Sequence, residues 1–478
     1  MTTQQTQEST VNNTNQLHPF HSWELQQLEG PLFIERAEGV HIWDTEGNRY
    51  IDAIAGMWCN NIGPSRTDMV DAISEQLLKA SYTNPFVTTT NPVTAKAAAE
   101  LCKRAPDNIN HVFFTAGGST ANDAAFRIIQ LYNNLRGKSD KKAILVRGDA
   151  YHGSTLLTAS MTQVGRCPHS HYGWDDKAFL DTDGINALNL HRVGSPNSFR
   201  YGQGRSEEQF GEDLYQEVVD KIDQLGGPDK VAAFVAEPVI GAGGVVPPPA
   251  NYIKKVYQYC KANDILYWSD EVVTGFGRLG HFFASEEVFD IKPDIIISAK
   301  GLTSAYIPAG ACLFSDDIWK VLSTNPEGRL FYTGYTYSGH PAACAAILKN
   351  IEIIEEEKIC EHVQEVGPYF MEQLKTLCDL PLVGQVRGHH LMAAIELCKN
   401  GATGELFEED EIQGALGYMV GAAAQKLGLN VRFNGNMNIF SPPLIITKDE
   451  IDEVVALTRK AIIAVQNELI VGGLMAAA

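Results

Sequence analysis

Two stretches decide the fold: ILYWSDEVVTGFGR, from Ile265 to Arg278, and DIIISAKG, from Asp294 to Gly301. Each opens with a short apolar run, Ile265 to Ser269 and Ile295 to Ser298, and ionisable side chains follow at once: Asp270 and Glu271 in the first, Lys300 in the second. Runs of this length without polar alternation predict strands buried on both faces of a parallel sheet. Asp270, Glu271 and Lys300 should then emerge at the carboxyl edge of that sheet, where open α/β sheets bind their ligands.

The same pattern extends outward. His111 to Phe114, Ala143 to Arg147, Val231 to Ala236 and Ala309 to Phe314 read as further strands, each bounded by Gly, Pro or a charge. Between them lie amphipathic stretches. From Ser119 to Leu135, Ala121, Ala124, Ala125, Ile128, Ile129 and Tyr132 recur at the spacing of a helix with one buried face, and residues 252–262 read as another. After about residue 330 the texture changes to longer helices, including Pro341 to Lys358, with a short strand at Leu391 to Leu397 and a last helix from Lys448 onward. This predicts a large α/β domain over 65–330 and a smaller domain made of both chain ends, 1–64 and 331–478, with 1–16 a solvated tail. The acidic clusters Glu355 to Glu357 and Glu408 to Glu411 read as solvated faces.

Composition narrows the function. The 478 residues carry 58 Asp and Glu against 38 Lys and Arg, a net charge of −20, with no basic block. Such a chain is repelled by phosphate backbones and anionic lipid, which argues against nucleic-acid and membrane-surface partners. No apolar run reaches the length of a spanning helix. The first basic residue is Arg36, so the N-terminus lacks the charged start of a signal or transit peptide, and a cytoplasmic location is expected. Nine scattered cysteines without a C-x-x-C pair point to reduced thiols. The histidine pairs His169/His171 and His389/His390 have no acidic or cysteine partner at ligand spacing, so no metal site is expected.

Gly117, Gly118 and Ser119 fall between a strand and a helix N-terminus. Glycines let a backbone approach an anion, and the first helical N–H groups point at it. Alone, such a turn is more often a simple cap, and it is neither a P-loop nor a dinucleotide fingerprint. A lysine beside an aspartate at strand ends can likewise be a structural ion pair. Together, a lysine to form a Schiff base, an acid to hold a pyridine nitrogen protonated and a helix N-terminus for a phosphate are the requirements of a pyridoxal phosphate site.

From about His18 to the final helix the chain resembles the class III transaminases of pyridoxal phosphate fold type I, in particular the ω-amino acid or amine:pyruvate branch. The resemblance rests on His152-Gly153 after Tyr151, Glu237-Pro238, DEVVTGFGR from Asp270, SAKGLTSAYIP from Ser298, TYSGHP from Thr336, the Arg387-Gly388 pair and PPL at Pro442. It implies a large, mostly parallel seven-stranded sheet domain with a smaller α+β domain, and pyridoxal phosphate as cofactor. Lys300 would hold the cofactor and shuttle the proton, and Asp270 would pair with the pyridinium nitrogen. Val272 and Tyr151 would sandwich the ring, Gly118 and Ser119 would hold the phosphate, and Glu237 would stand among the cofactor contacts. Thr336 would reach the phosphate from a neighbouring subunit, which implies a homodimer or a dimer of two such dimers. Trp58, Phe20 and Phe86 fall where the family builds its substrate pocket. Arg432 matches its mobile, carboxylate-binding arginine, and His152 is left as structural.

Thr120, Pro64 and His390 depart from the wider family's usual Glu, His and Gly without removing a catalytic group. Ala242 stands where ornithine and γ-aminobutyrate enzymes carry an acidic gate, and Val273 where they carry Gln; both favour pyruvate as acceptor. The resemblance therefore implies transfer of an amino group from a primary amine or ω-amino acid to pyruvate, giving an aldehyde or ketone and alanine. The rivals are a mutase or decarboxylase of the same fold, a 2-oxoglutarate-using diamine or ω-amino acid aminotransferase, and a catalytically dead relative acting as a scaffold. Gly277 argues against a mutase of the glutamate semialdehyde type, and intact Lys300 and Asp270 argue against the dead relative.

Overall fold

The computed structural model describes residues 16–20, 31–163, 188–325, 328–408, 411–412 and 415–475. The tail expected over 1–16, apart from Gln16, and the pair His169/His171 lie outside the described residues.

The central sheet has seven strands, numbered here in chain order: β1 (Ile109–Thr115), β2 (Ala143–Arg147), β3 (Leu190–Val193), β4 (Val231–Ala236), β5 (Leu266–Asp270), β6 (Ile295–Ser298) and β7 (Gly310–Ser315). Their spatial order is β1-β7-β6-β5-β4-β2-β3. Only β7 runs against its neighbours, β1 and β6. The remaining pairs are parallel. The carboxyl ends of β1, β2, β4, β5 and β6 therefore share one edge with the start of β7. Strand β3 escaped the sequence reading because its four residues, LHRV, carry two polar side chains and give no apolar run.

Alternation along the strands explains why both faces are dry. Ile144 and Val146 of β2 pack with Ala121, Ala125, Ile128 and Ile129 of the helix Gly118–Leu135. Leu145, between them, packs on the opposite face with Phe210, Leu214 and Val218 of the helix Glu207–Gln224 and Val256 of the helix Tyr252–Ala262. A sheet sandwiched this way needs apolar residues at every strand position, which is the pattern from which the strands were read.

The chain ends build two four-stranded sheets where the sequence suggested a single strand. Ile34–Glu38, His41–Asp44, Arg49–Asp52 and Leu429–Asn430 form one; Val383–His389, Met392–Leu397, Met437–Phe440 and Arg432–Asn434 form the other. The helices Pro341–Glu356, Ile359–Lys375 and Lys448–Val471 accompany them, the last opened by a capping box between Thr447 and Glu450. Among the described residues, no helix is long and apolar enough to cross a membrane. Of the acidic clusters, Glu355 and Glu357 are paired with Arg104 and Arg66, and Glu411 with Lys399.

Candidate active site

At the end of β5, two adjacent carboxylates point to opposite sides and meet different surroundings. Asp270, buried, accepts hydrogen bonds at Oδ2 from Asn122 Nδ2 at 2.9 Å and faces His152 Nδ1 at 2.7 Å, while Oδ1 accepts from the Val272 amide at 3.2 Å. Glu271, also buried, accepts from the amides of Ala284 and Ser285 and the hydroxyls of Ser285 and Thr274, at 2.6 to 3.2 Å. Glu271 is thus consumed in tying down the turn that follows β5. Asp270 is held at Oδ2 by two side chains, an amide and an imidazole, and at Oδ1 by a single longer bond from the Val272 amide.

Lys300 follows β6 in a tight turn with φ +44°, a conformation that costs a non-glycine residue on the order of 1–3 kcal/mol. The next residue must be small, because a Cβ at Gly301 would lie 2.4 Å from Asn61 Nδ2. Asn61 is itself fixed, donating to the Phe276 carbonyl at 2.7 Å and accepting from Arg278 Nη2 at 3.0 Å. Among the described residues the Lys300 amine has no hydrogen-bond or ion-pair partner. Burial pushes its pKa down, more than nearby Asp270 and Glu237 push it up. A lysine left unpaired and shifted towards the neutral amine is equipped to add to a carbonyl and to carry a proton.

Around these two groups the loops after β1, β2 and β4 converge. Gly118 opens the helix that follows β1, and a Cβ there would stand 3.1 Å from Val272 Cγ2, so the glycine lets the helix N-terminus and the residue after Glu271 lie together. Gly153, at φ +137°, leaves room for Ser119, whose Oγ accepts from the Ser154 amide at 3.1 Å. The Tyr151 amide donates to Glu237 Oε1 at 3.0 Å, and the Gly241 amide to Glu237 Oε2 at 2.8 Å. Burial pushes the Glu237 carboxyl up, opposed by His152. The site therefore brings together Lys300, Asp270, Gly118, Ser119, Tyr151, Val272 and Glu237. It adds Asn122, which the sequence reading did not name, and His152, which that reading left as structural and which here faces Asp270. His152 carried a signal, its place one residue after Tyr151. Asn122 had none, since a helical asparagine on an apolar face is ordinary.

The substrate candidates are more dispersed. Trp58 is buried with Val239, Val245, Met392 and Ile439, and Val273 packs against that cluster. Phe20 meets Tyr151 edge-on, with ring centroids 6.4 Å apart. Arg432 is half-buried, and burial holds its pKa below the ordinary value. Among the described residues its one hydrogen-bond acceptor is Met57 Sδ, at 2.6 Å from Nη1. Phe86 and Thr336 lie on two exposed loops that touch each other: Tyr82 donates to the Thr336 carbonyl at 3.0 Å, and Phe86 covers Gly334.

These residues fit pyridoxal phosphate. An unpaired Lys300 amine can carry its aldehyde, the buried Asp270 carboxylate suits a protonated ring nitrogen, and the glycine-lined start of the helix Gly118–Leu135 with the Ser119 hydroxyl suits its phosphate.

Residues 24–462 match the family described as aminotransferase class-III. The chain is 38% identical to the putrescine–pyruvate aminotransferase of Pseudomonas aeruginosa over 453 residues, 95% of each chain. It is 39% identical to the mitochondrial γ-aminobutyrate transaminase 1 of Solanum lycopersicum, covering 93% of this chain and 84% of the relative. Among solved structures, a thermostable (S)-enantioselective omega-transaminase from Thermomicrobium roseum superposes with a TM-score of 0.89 at 35% identity, over 96% of this chain and 98% of that one.

Proposed function

This chain belongs to the class III aminotransferases and uses pyridoxal phosphate, and we propose that within the family it moves an amino group from a primary amine or ω-amino acid to pyruvate. The observation that carries the reading is the unpaired Lys300 amine at the same sheet edge as an Asp270 held by Asn122 and His152. When bound, pyridoxal phosphate supplies a carbonyl for the amine and a protonated ring that draws electrons from the substrate's α-carbon. Lys300 Nζ, shifted towards the neutral form, takes the α-proton and returns it. Asp270 would keep the ring nitrogen protonated, and Asn122 and His152 hold Asp270. Val272 and Tyr151 would flank the ring, Glu237 holds Tyr151 through its backbone amide, and Gly118 and Ser119 would receive the phosphate.

Pyruvate as acceptor is supported by the name of the P. aeruginosa relative and by the surroundings of Arg432, whose guanidinium has only a thioether to donate to among the described residues. Ala242, where an acidic gate would stand, offers only its carbonyl, to Asn434 Nδ2. Trp58, Phe20 and Phe86 give the amine's tail an apolar wall. The active unit we propose is a homodimer in which Thr336 reaches the phosphate of the partner subunit. The exposed Phe86, Val87, Leu330, Tyr332 and Tyr337 on the loops around Thr336 support this, being an apolar patch of the kind that marks interfaces. The domain division at residues 65 and 330 belongs to the same proposal, as does a cytoplasmic location, which the free thiols of the eight described cysteines support. The test is a panel of diamines, ω-amino acids and aromatic amines with pyruvate, read as alanine formed. Turnover with 2-oxoglutarate and none with pyruvate would overturn the acceptor.

A further inference from the structure

We propose that Asp52, together with Asn430, is a positioning residue for substrate recognition: one buried carboxylate sets the turn that carries Trp58 against the strand that carries Arg432. The inference rests on the reading that Trp58 and Arg432 face the substrate. Its starting point is the backbone between Ile54 and Cys59. Ala55 and Trp58 have φ of +45° and +63°, and Gly56 between them has φ +65° and ψ −87°. Side chains other than glycine rarely hold such angles unless surrounding bonds impose them.

Asp52 supplies two of those bonds, beside the backbone ones from Trp58 to Ile54 and from Cys59 to Ala55. Its Oδ2 accepts from the Gly56 amide at 2.6 Å, and its Oδ1 from the Ile54 amide at 3.3 Å. Oδ1 also accepts from Asn430 Nδ2 at 3.0 Å. Asn430 lies opposite Asp52 in a two-residue parallel pairing, and Arg432 is two residues further along the same segment. From there the guanidinium returns to the turn at Met57 Sδ. The turn and the segment thus meet twice, at Asp52–Asn430 and at Met57–Arg432. The first contact is part-buried and ends on a carboxylate, a strong acceptor; the second is exposed and ends on a thioether, a weak one. The geometry assigns the fixed contact to alignment and leaves the Arg432 head group to exchange the sulfur for a substrate carboxylate. Displacing Asp52 would move the apolar wall and the cation of the pocket relative to each other, while Asp270, held by Asn122 and His152, would stay in place, and the Lys300 turn, which packs on Asn61, would be kept by the bonds of Asn61 to Phe276 and Arg278.

The experiment compares half-reactions of the holoenzyme with benzylamine and with pyruvate in Asn430→Ala, Trp58→Ala and Arg432→Ala, alongside urea unfolding. Asn430→Ala should raise KM for both substrates about fivefold, with the limiting rate changed less than about twofold and the cofactor absorbance unaltered. The exchanged pair, Asp52→Asn with Asn430→Asp, keeps a donor facing an acceptor and an oxygen for Gly56, gives up only the long Ile54 bond to Oδ1, and should recover part of that loss. A lowered urea midpoint with both KM values unchanged would make the pair merely structural and overturn the inference. If Trp58→Ala and Arg432→Ala also left both KM values unchanged, the substrate reading itself would fall, and this inference with it. Should Asn430→Ala not fold, Asn430→Ser, which retains a short donor, is judged by the same outcomes.

Discussion

Around Asp270 the positions of the working groups are set by strand ends and a long helix; around Trp58 and Arg432 they are set by a turn with left-handed residues and a strand three residues long. In the first region the polar partners are side chains projected from β5 and the helix Gly118–Leu135, with the loop after β2 supplying His152. In the second they are mostly backbone amides gathered by one carboxylate. The difference tracks the task. A proton-transfer site must keep atoms within tenths of an ångström through every turnover, and rigid elements do that best. On the proposed function, a pocket that takes both an apolar amine and a carboxylate-bearing acceptor needs one group free to change partner, and Arg432, bound to a sulfur, would be that group.

The sharpest way to break this comparison is to remove Lys300. Lys300→Ala should lower turnover by about 10²–10⁴-fold or more, since no other described amine stands at the edge to move the proton. In the apoprotein, burial lowers the Lys300 pKa, so an amine-selective reagent should modify it at a lower pH than exposed lysines, as followed by mass spectrometry of the labelled peptide. Labelling that tracked the exposed lysines would mean that Lys300 is solvated and that the rigid half of the comparison is not dry. Asp270→Asn comes next. A neutral amide cannot hold a proton on the ring nitrogen, and about 10²–10³-fold should be lost from the amine half-reaction measured in a single turnover. Cofactor should still bind, because the phosphate and Lys300 contacts remain.

Legibility followed the same division. The strands that lead to Asp270 and Lys300 were readable because burial on both faces forces an unbroken apolar run, and the helix after Gly118 because its apolar residues keep a 3.6 period. Strand β3, with His191 and Arg192 in the middle, broke that rule and was missed. So were most strands of the small sheets: IERAE carries three charges in five residues and gives no apolar run, and Arg432–Asn434 is too short for any periodicity. In the site, Lys300 and Asp270 declared themselves by charge at an apolar run's end. Asn122 and Asp52 could not, because their roles depend on partners 148 and 378 residues away.

A mutation in the less regular half should have a smaller and more selective effect. Arg432→Ala should weaken pyruvate and alanine by about ten- to a hundredfold, the value of a charge-assisted pair, while an amine lacking a carboxylate is affected far less. Equal losses in both half-reactions would make Arg432 a structural part of the small sheet and remove the contrast between a fixed and an exchangeable region.

The smallest effect on chemistry is expected next door to the largest. Glu271 adjoins Asp270, yet its two oxygens are filled by two amides and two hydroxyls from the turn beyond β5. In Glu271→Gln the new NH₂ must face either the Ala284 amide or the Ser285 amide, so two donors are opposed inside a buried site. That should cost about 1–3 kcal/mol of stability, visible as a lower urea midpoint at unchanged slope. Turnover per folded, cofactor-loaded molecule should stay within about threefold of the parent, because none of the lost bonds reaches Asp270, Lys300 or His152. A large loss of turnover without loss of stability would show that the two adjacent carboxylates act on the reaction together, and that position along the strand matters more than which face a side chain takes.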